Sequence, residues 1–210
     1  MIKKSKNSLF TKFYNDSYNF FFLIFNNIKI NKTEDLKKIN KKIDNIENST
    51  SLLTAWLLNI KRLYNLTERY VDLKDYHFLD IGCGNGIPLI YAYKKLSFAS
   101  YEGFDLVPQY VRITKENIKS SNKGIKNLYI NSFVSDASKI ILNKNKKFFI
   151  FMFNPFNGII MKKFLKNNYI NLKKNKSVIA YSNYNELKII KKYAYKTKLI
   201  KKYKLAACFF

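Results

Sequence analysis

An α/β fold, a doubly wound sheet of about seven mostly parallel strands with an N-terminal helical extension, is predicted by three observations. From Tyr76 onward, short apolar runs alternate with amphipathic Lys-rich stretches, the texture of βα units whose strands are buried on both faces. The first of these runs ends in a cluster of glycines. The next three end in acidic or amide side chains, so the polar chemistry collects at one edge of the predicted sheet, where open α/β sheets bind their ligands.

The chain has 210 residues, 47% hydrophobic and 25% charged, which suits one folded domain and excludes a disordered chain. Its unbroken apolar runs, such as residues 20–25, do not exceed six residues, far short of the ~20 a spanning helix needs. A basic start followed by Phe and Leu has a leader-like look, but Asn26 and Asn27 stand where small residues would precede cleavage. The expected location is therefore cytoplasmic. Cys83 and Cys208 lie far apart and His77 is the single histidine, so no metal-ligand cluster and no disulfide framework are expected. A catalytic triad would rest wholly on His77, whose apolar surroundings read instead as core.

Residues 1–32 carry aromatic side chains without a clean period, which leaves only the expectation that they pack on something. Thr33 caps a predicted helix with Leu36, Ile39, Ile43 and Ile46 at steps of three and four, and with Glu34 and Asp35 in its first turn. A second helix carries Leu53, Trp56, Leu57, Ile60 and Tyr64 on one face. Residues 1–70 are accordingly read as a helical lid or substrate-facing cap of the same domain, and 71–210 as its core. Predicted strands cover 76–81, 101–104, 128–134, 148–153 and 177–181, with a final pair near 197–203 and 205–210. Predicted helices cover 87–95, 108–119, 158–167 and 186–194.

The first strand runs into Phe78-Leu79-Asp80-Ile81-Gly82-Cys83-Gly84-Asn85-Gly86. Only six glycines occur in the chain, yet three fall at alternate positions here; chance would produce such a triplet in roughly one chain of this composition in two hundred. A loop this short of side chains lets a ligand approach the backbone and the amino end of the next helix. A dinucleotide fingerprint would need glycine at Ile87, and Asp80 disfavours a pyrophosphate while suiting a cationic amino group. A nicotinamide-dependent oxidoreductase is thereby weakened. Asp105 ends the second strand at the spacing of a carboxylate that accepts ribose hydroxyls. Asp136 ends the third, placed to accept from an adenine amino group, with capping of the following turn as its competing role. Asn154, in Phe153-Asn154-Pro155-Phe156, ends the fourth.

In these segments the chain resembles a class I S-adenosylmethionine-dependent methyltransferase, which has a Rossmann-like sheet. The glycine loop, Gly103-Phe104-Asp105 and Phe153-Asn154-Pro155-Phe156 match that family's first, second and fourth motifs in order and spacing. The likeness covers about residues 76–210. It implies S-adenosyl-L-methionine as cofactor, with Asp80, Gly82, Gly84 and Gly86 around the methionine moiety, Asp105 at the ribose and Asp136 at the adenine. Nitrogen-methylating members carry Asn or Asp, two prolines and an aromatic ring in the fourth motif. The single proline here makes that match partial, closer to small bacterial methyltransferases with an Asn-Pro-Phe ending. The resemblance implies that Asn154, Pro155 and Phe156 form the catalytic acceptor site, competing with a purely structural turn. Phe156 and Trp56 are candidate partners for a sulfonium charge.

The net charge of +25 points to anionic partners, but its distribution matters more than its size. From Asn143 to Phe210 there are 17 basic residues and one acidic residue, Glu186. Nucleic acid is thus a candidate partner of the C-terminal third, either as methyl acceptor or for a nonenzymatic binding module on the same sheet. A lysine surface produced by A/T-rich codons is the plain alternative. Only three of the basic residues are Arg, which argues against sequence-specific DNA readout.

Overall fold

The computed structural model describes residues 7–30, 43–50, 55–124 and 129–210. Its strands are β1 (Tyr76–Ile81), β2 (Ser100–Asp105), β3 (Ile130–Val134), β4 (Lys147–Phe153), β5 (Val178–Ser182), β6 (Lys196–Ile200) and β7 (Leu205–Phe209). They form one sheet in the order β3-β2-β1-β4-β5-β7-β6. The first five are parallel to one another, and β7 runs antiparallel between β5 and β6. The predicted Rossmann-like sheet is therefore the observed one. Chain order reverses between β1 and β4, which opens a crevice beyond their carboxyl ends.

Alternation along each strand explains the continuous apolar runs. Phe149 and Phe151 of β4 enter one core with Phe78, while Ile150 and Met152 enter the other with Leu79 and Ile81. The first core is roofed by α2 (Leu57–Glu68) and α3 (Ile87–Lys95), with α4 (Pro108–Ser121) alongside on β2 and β3. The second is roofed by α5 (Gly158–Lys174) and α6 (Leu187–Ile190). Pro88 and Pro108 lie in the first turns of α3 and α4, where a missing N–H costs nothing. His77 is half-buried, bonds Ser100 Oγ through Nδ1 at 2.6 Å, and has its pKa lowered by burial and by Lys146.

The aromatic segment read without a period contains α1 (Asn7–Phe25), packed against α2 and against Tyr91 of α3. Most of the helix expected from Thr33 falls at 31–42, outside the described residues; its end, Ile46–Asn48, is a 3-10 turn. The second expected helix begins at Leu57, with 51–54 again outside the described residues. The helix expected over 186–194 shortens to α6, because i→i+3 bonds to the Lys192 and Tyr193 amides tighten the next turn. No described helix is long and apolar enough to cross a membrane.

Candidate functional site

The glycine loop turns because Gly82, Gly84 and Gly86 all adopt left-handed backbone, with φ of 74°, 53° and 75°. Two of them are also places where no side chain fits. A Cβ on Gly82 would lie 2.7 Å from Pro155 Cβ, and one on Gly86 would lie 2.5 Å from Thr114 Cγ2. The loop is tied to β2 by the Gly82 and Cys83 N–H groups, which donate to the Phe104 carbonyl at 2.9 and 3.0 Å. Asp105 reaches back into the bend: Oδ2 accepts from Gly84 N at 2.9 Å and Oδ1 from Val107 N at 2.9 Å.

Above this bend lies a cavity open to solvent. Three carboxylates line it, Asp80, Asp105 and Asp136, and among the described residues no Lys, Arg or His does. Asp80 is 1% exposed, and its Oδ2 has no hydrogen-bond partner. Burial, then the Asp105 charge, push Asp80 well above the usual carboxylate range, against a hydrogen bond from the Leu89 amide. Burial also raises Asp105, opposed by the amides of Val107, Gly84 and Leu106. Asp136 differs. Partial burial works to raise it, but bonds from Ser138 and Asn45 and the charge of Lys139 hold it below its ordinary value.

The predicted cofactor residues Asp80, Gly82, Gly84, Asp105 and Asp136 thus all line one cavity. Gly86 lies behind them, at the N-cap of α3. Both oxygens of Asp136 already have partners, Ser138 N at 2.7 Å and Asn45 Nδ2 at 2.8 Å, so the capping role weighed for it is realised. Sequence reasoning missed Asn85, whose buried Oδ1 is unpartnered in the wall, and the apolar strip of Leu106, Val107 and Tyr110. Asn85 sits between two of the glycines, the one signal that marked it.

At the β4 edge, Pro155 and Phe156 line the cavity, but Asn154 does not. Its backbone is left-handed at φ 46°, and its Oδ1 accepts from the Tyr181 hydroxyl at 3.0 Å. Residues 45–50 cross over this edge as a strap. Thr50 donates through Oγ1 to the Asn154 carbonyl at 2.6 Å and through N to the Pro155 carbonyl at 3.0 Å, and Asn157 donates twice to Asn48. Trp56 is not in the wall; its Nε1 donates to Asp16 Oδ1 at 2.9 Å. Among the described residues, no His, Cys, Asp and Glu cluster could hold a metal ion.

A family model described as ribosomal protein L11 methyltransferase (PrmA) matches residues 58–191, well over half of the chain. The chain belongs to this family. The match takes in the glycine loop and both strand-end acids of the PrmA-family core, in accord with the resemblance read from the motifs. Solved structures similar in fold include a putative RNA methyltransferase from Pyrococcus horikoshii, 14% identical, with a TM-score of 0.55, covering 89% of this chain and 93% of its own. An RNA methyltransferase from Salinibacter ruber in complex with S-adenosyl-L-homocysteine is 12% identical, with a TM-score of 0.53 and coverage of 75% and 93%. A precorrin-6y C5,15-methyltransferase from Geobacter metallireducens is 15% identical, with a TM-score of 0.53 and coverage of 81% and 92%. No curated protein matches the chain.

Proposed function

We propose that the chain is an S-adenosyl-L-methionine-dependent methyltransferase whose acceptor is an amine nitrogen on RNA or protein. One observation carries this reading. Among the described residues of this strongly basic chain, no basic side chain lines the cavity wall, yet three carboxylates do. Such a wall repels pyrophosphate and favours a cationic ligand. Asp80 Oδ2, buried and unpartnered, suits an ammonium group. The amino end of α3, where Ile87 and Pro88 line the cavity, suits a carboxylate. Asp105, fixed by Gly84 and Val107, offers its remaining lone pairs to ribose hydroxyls. Leu106, Val107 and Ala137 give a planar base an apolar slot.

When bound, the cofactor supplies an electrophilic methyl on a sulfonium, so the protein's task is alignment and exclusion of water. Pro155 and Phe156 form the acceptor side of the cavity, beside the aromatic rings of Phe151 and Phe153. Asn154 joins that side when the acceptor displaces Thr50 from its carbonyl, which groups the chain with Asn-Pro-Phe methyltransferases. The turn Lys201-Lys202-Tyr203-Lys204 supports an anionic acceptor. It precedes Leu205, which pairs with Ser182, itself paired with Phe153, so it lies on the sheet edge that carries the cavity. Residues 1–70 act as the cap of this core.

Calorimetry tests the cofactor assignment: the chain binds S-adenosylmethionine or S-adenosylhomocysteine, and Asp105→Ala and Gly84→Val each abolish the binding. No binding to the unaltered chain refutes it. Transfer of labelled methyl into separated RNA, DNA, protein and small-molecule pools then identifies the acceptor.

A further inference from the structure

Helix α1 is mounted with Asn15 and Asn19 inward. Asn19, buried, donates to the Ala55 carbonyl at 3.0 Å and accepts from the Leu57 amide at 3.0 Å. Asn15, fully buried, accepts from Arg62 Nη1 at 3.0 Å. Together with Phe22 and Leu23 in the core, these bonds fix the rotation of the helix about its own axis. The opposite side shows Leu9, Phe10, Phe13, Phe20, Phe21 and Phe25 to solvent, each at least 55% exposed. These positions run along the helix from Leu9 to Phe25, so they form a stripe roughly 24 Å long. Phe21 stacks on Phe25 and meets Phe20 edge-on, so these rings cover one another rather than the body of the protein. A monomer in water rarely keeps so long an apolar stripe uncovered.

Charge identifies what covers it. Arg62, which holds Asn15, also lies 3.9 Å over the Tyr203 ring, next to Lys202. On the same helical side of the sheet, Lys196 and Lys198 of the edge strand sit over Tyr70 at 4.0 and 5.3 Å. No acidic partner neutralises these groups among the described ion pairs. A net charge of +25 opposes pairing two such stripes across a dimer, and attracts the chain to an anionic sheet of phosphates. We propose that α1 is an interfacial helix that lays this face on an anionic phospholipid bilayer, with the rings among the upper acyl chains and the chain's net positive charge drawing it to the headgroups. The cavity stays close by, because Asn19 bonds Ala55, which lines it. This proposal stands whether or not the cavity binds S-adenosylmethionine.

Flotation of the full chain with vesicles of phosphatidylcholine, with and without about one third phosphatidylglycerol, tests it. The chain should float with the anionic vesicles and much less with the neutral ones. The single tryptophan, Trp56, bonded to Asp16 of α1, should shift its emission to the blue on docking. Replacing two exposed rings together, Phe21→Ser with Phe25→Ser, should weaken partitioning at least about tenfold while leaving the circular dichroism melt unchanged. Failure of the unaltered chain to float, or partitioning indifferent to the two replacements, overturns the proposal. So does sedimentation showing a dimer that the same replacements dissociate, which would make the stripe a contact between two copies.

Discussion

Asp80 and Asp105 face each other across the glycine bend with no cation between them, and each has a folded-state pKa above its ordinary 3.8. In the window between that value and the raised one, the folded chain binds more protons than the unfolded chain. Stability is therefore lost as pH climbs through the window, and the full penalty is present above it. Asp136 has the opposite sign: it contributes stability above 3.8 that disappears as pH falls through its lowered folded pKa. Asp80 is the most buried of the three and sets the trend in the ligand-free chain. Its melting temperature should fall as pH rises above 3.8 through the raised pKa of Asp80. Asp80→Asn should flatten that slope, stabilise the ligand-free chain by about 1 kcal/mol at neutral pH and abolish cofactor binding, a residue retained for function at a cost in stability. Thermal melts across pH check the first two effects and calorimetry the third. A variant less stable than the parent at every pH would show that Asp80 serves the fold instead.

Between β3 and β4 the described chain has no helix, and asparagines on α5 do the work of one. Asn167 donates to the Ser138 carbonyl, Asn171 to that of Leu142 and Asn175 to that of Lys144. Asn168 is fully buried, accepts from the Leu142 amide at 2.7 Å and donates to the carbonyls of Ile140 and Phe164. Asn168→Ala should strand those backbone groups and cost about 2 kcal/mol in urea unfolding, with cofactor affinity unchanged because the ladder lies away from the cavity wall. A drop in affinity matching the loss of stability would place the ladder in the site. These elements also show where the sequence can be read. Strands β1 and β4 were legible because each is apolar on both faces, and the first four strands run into glycine, acid or amide. The three carboxylates of the cavity followed from those ends. Helix α1 was not legible, because apolar side chains occupy both its buried and its exposed sides and blur the period. Nor was the strap: Asn45 and Thr50 meet Asp136 and Asn154 across about a hundred residues of chain, and nothing local marks them. The direction of the Asn154 side chain depends on Tyr181, a core residue of another strand.

At the scale of the whole molecule, the sign of the field depends on depth. The surface is strongly cationic, and among the described residues only Lys139 and Lys146 form ion pairs with carboxylates. The cavity wall is anionic. On the proposed reading, an anionic acceptor is thus attracted to the rim and kept out of the cavity, while a cationic ligand is favoured only at depth. Lys201, Lys202 and Lys204 concentrate the outer field on the edge proposed to meet the acceptor, and Lys204 is further positioned by Asn185 at 2.7 Å. If the positive charge is no more than a by-product of codon usage, it acts as a diffuse cloud and no lysine matters more than another. If the turn guides the acceptor, its lysines displace counterions from defined phosphates. Anisotropy with a short single-stranded RNA separates these cases: affinity should fall steeply with salt, and replacing Lys201, Lys202 and Lys204 by Gln should reduce the log–log slope by about 2. Cofactor affinity should stay at the level of the parent chain, because none of the three lines the cavity. An unchanged slope would assign the charge to the surface as a whole and remove RNA's claim to this edge.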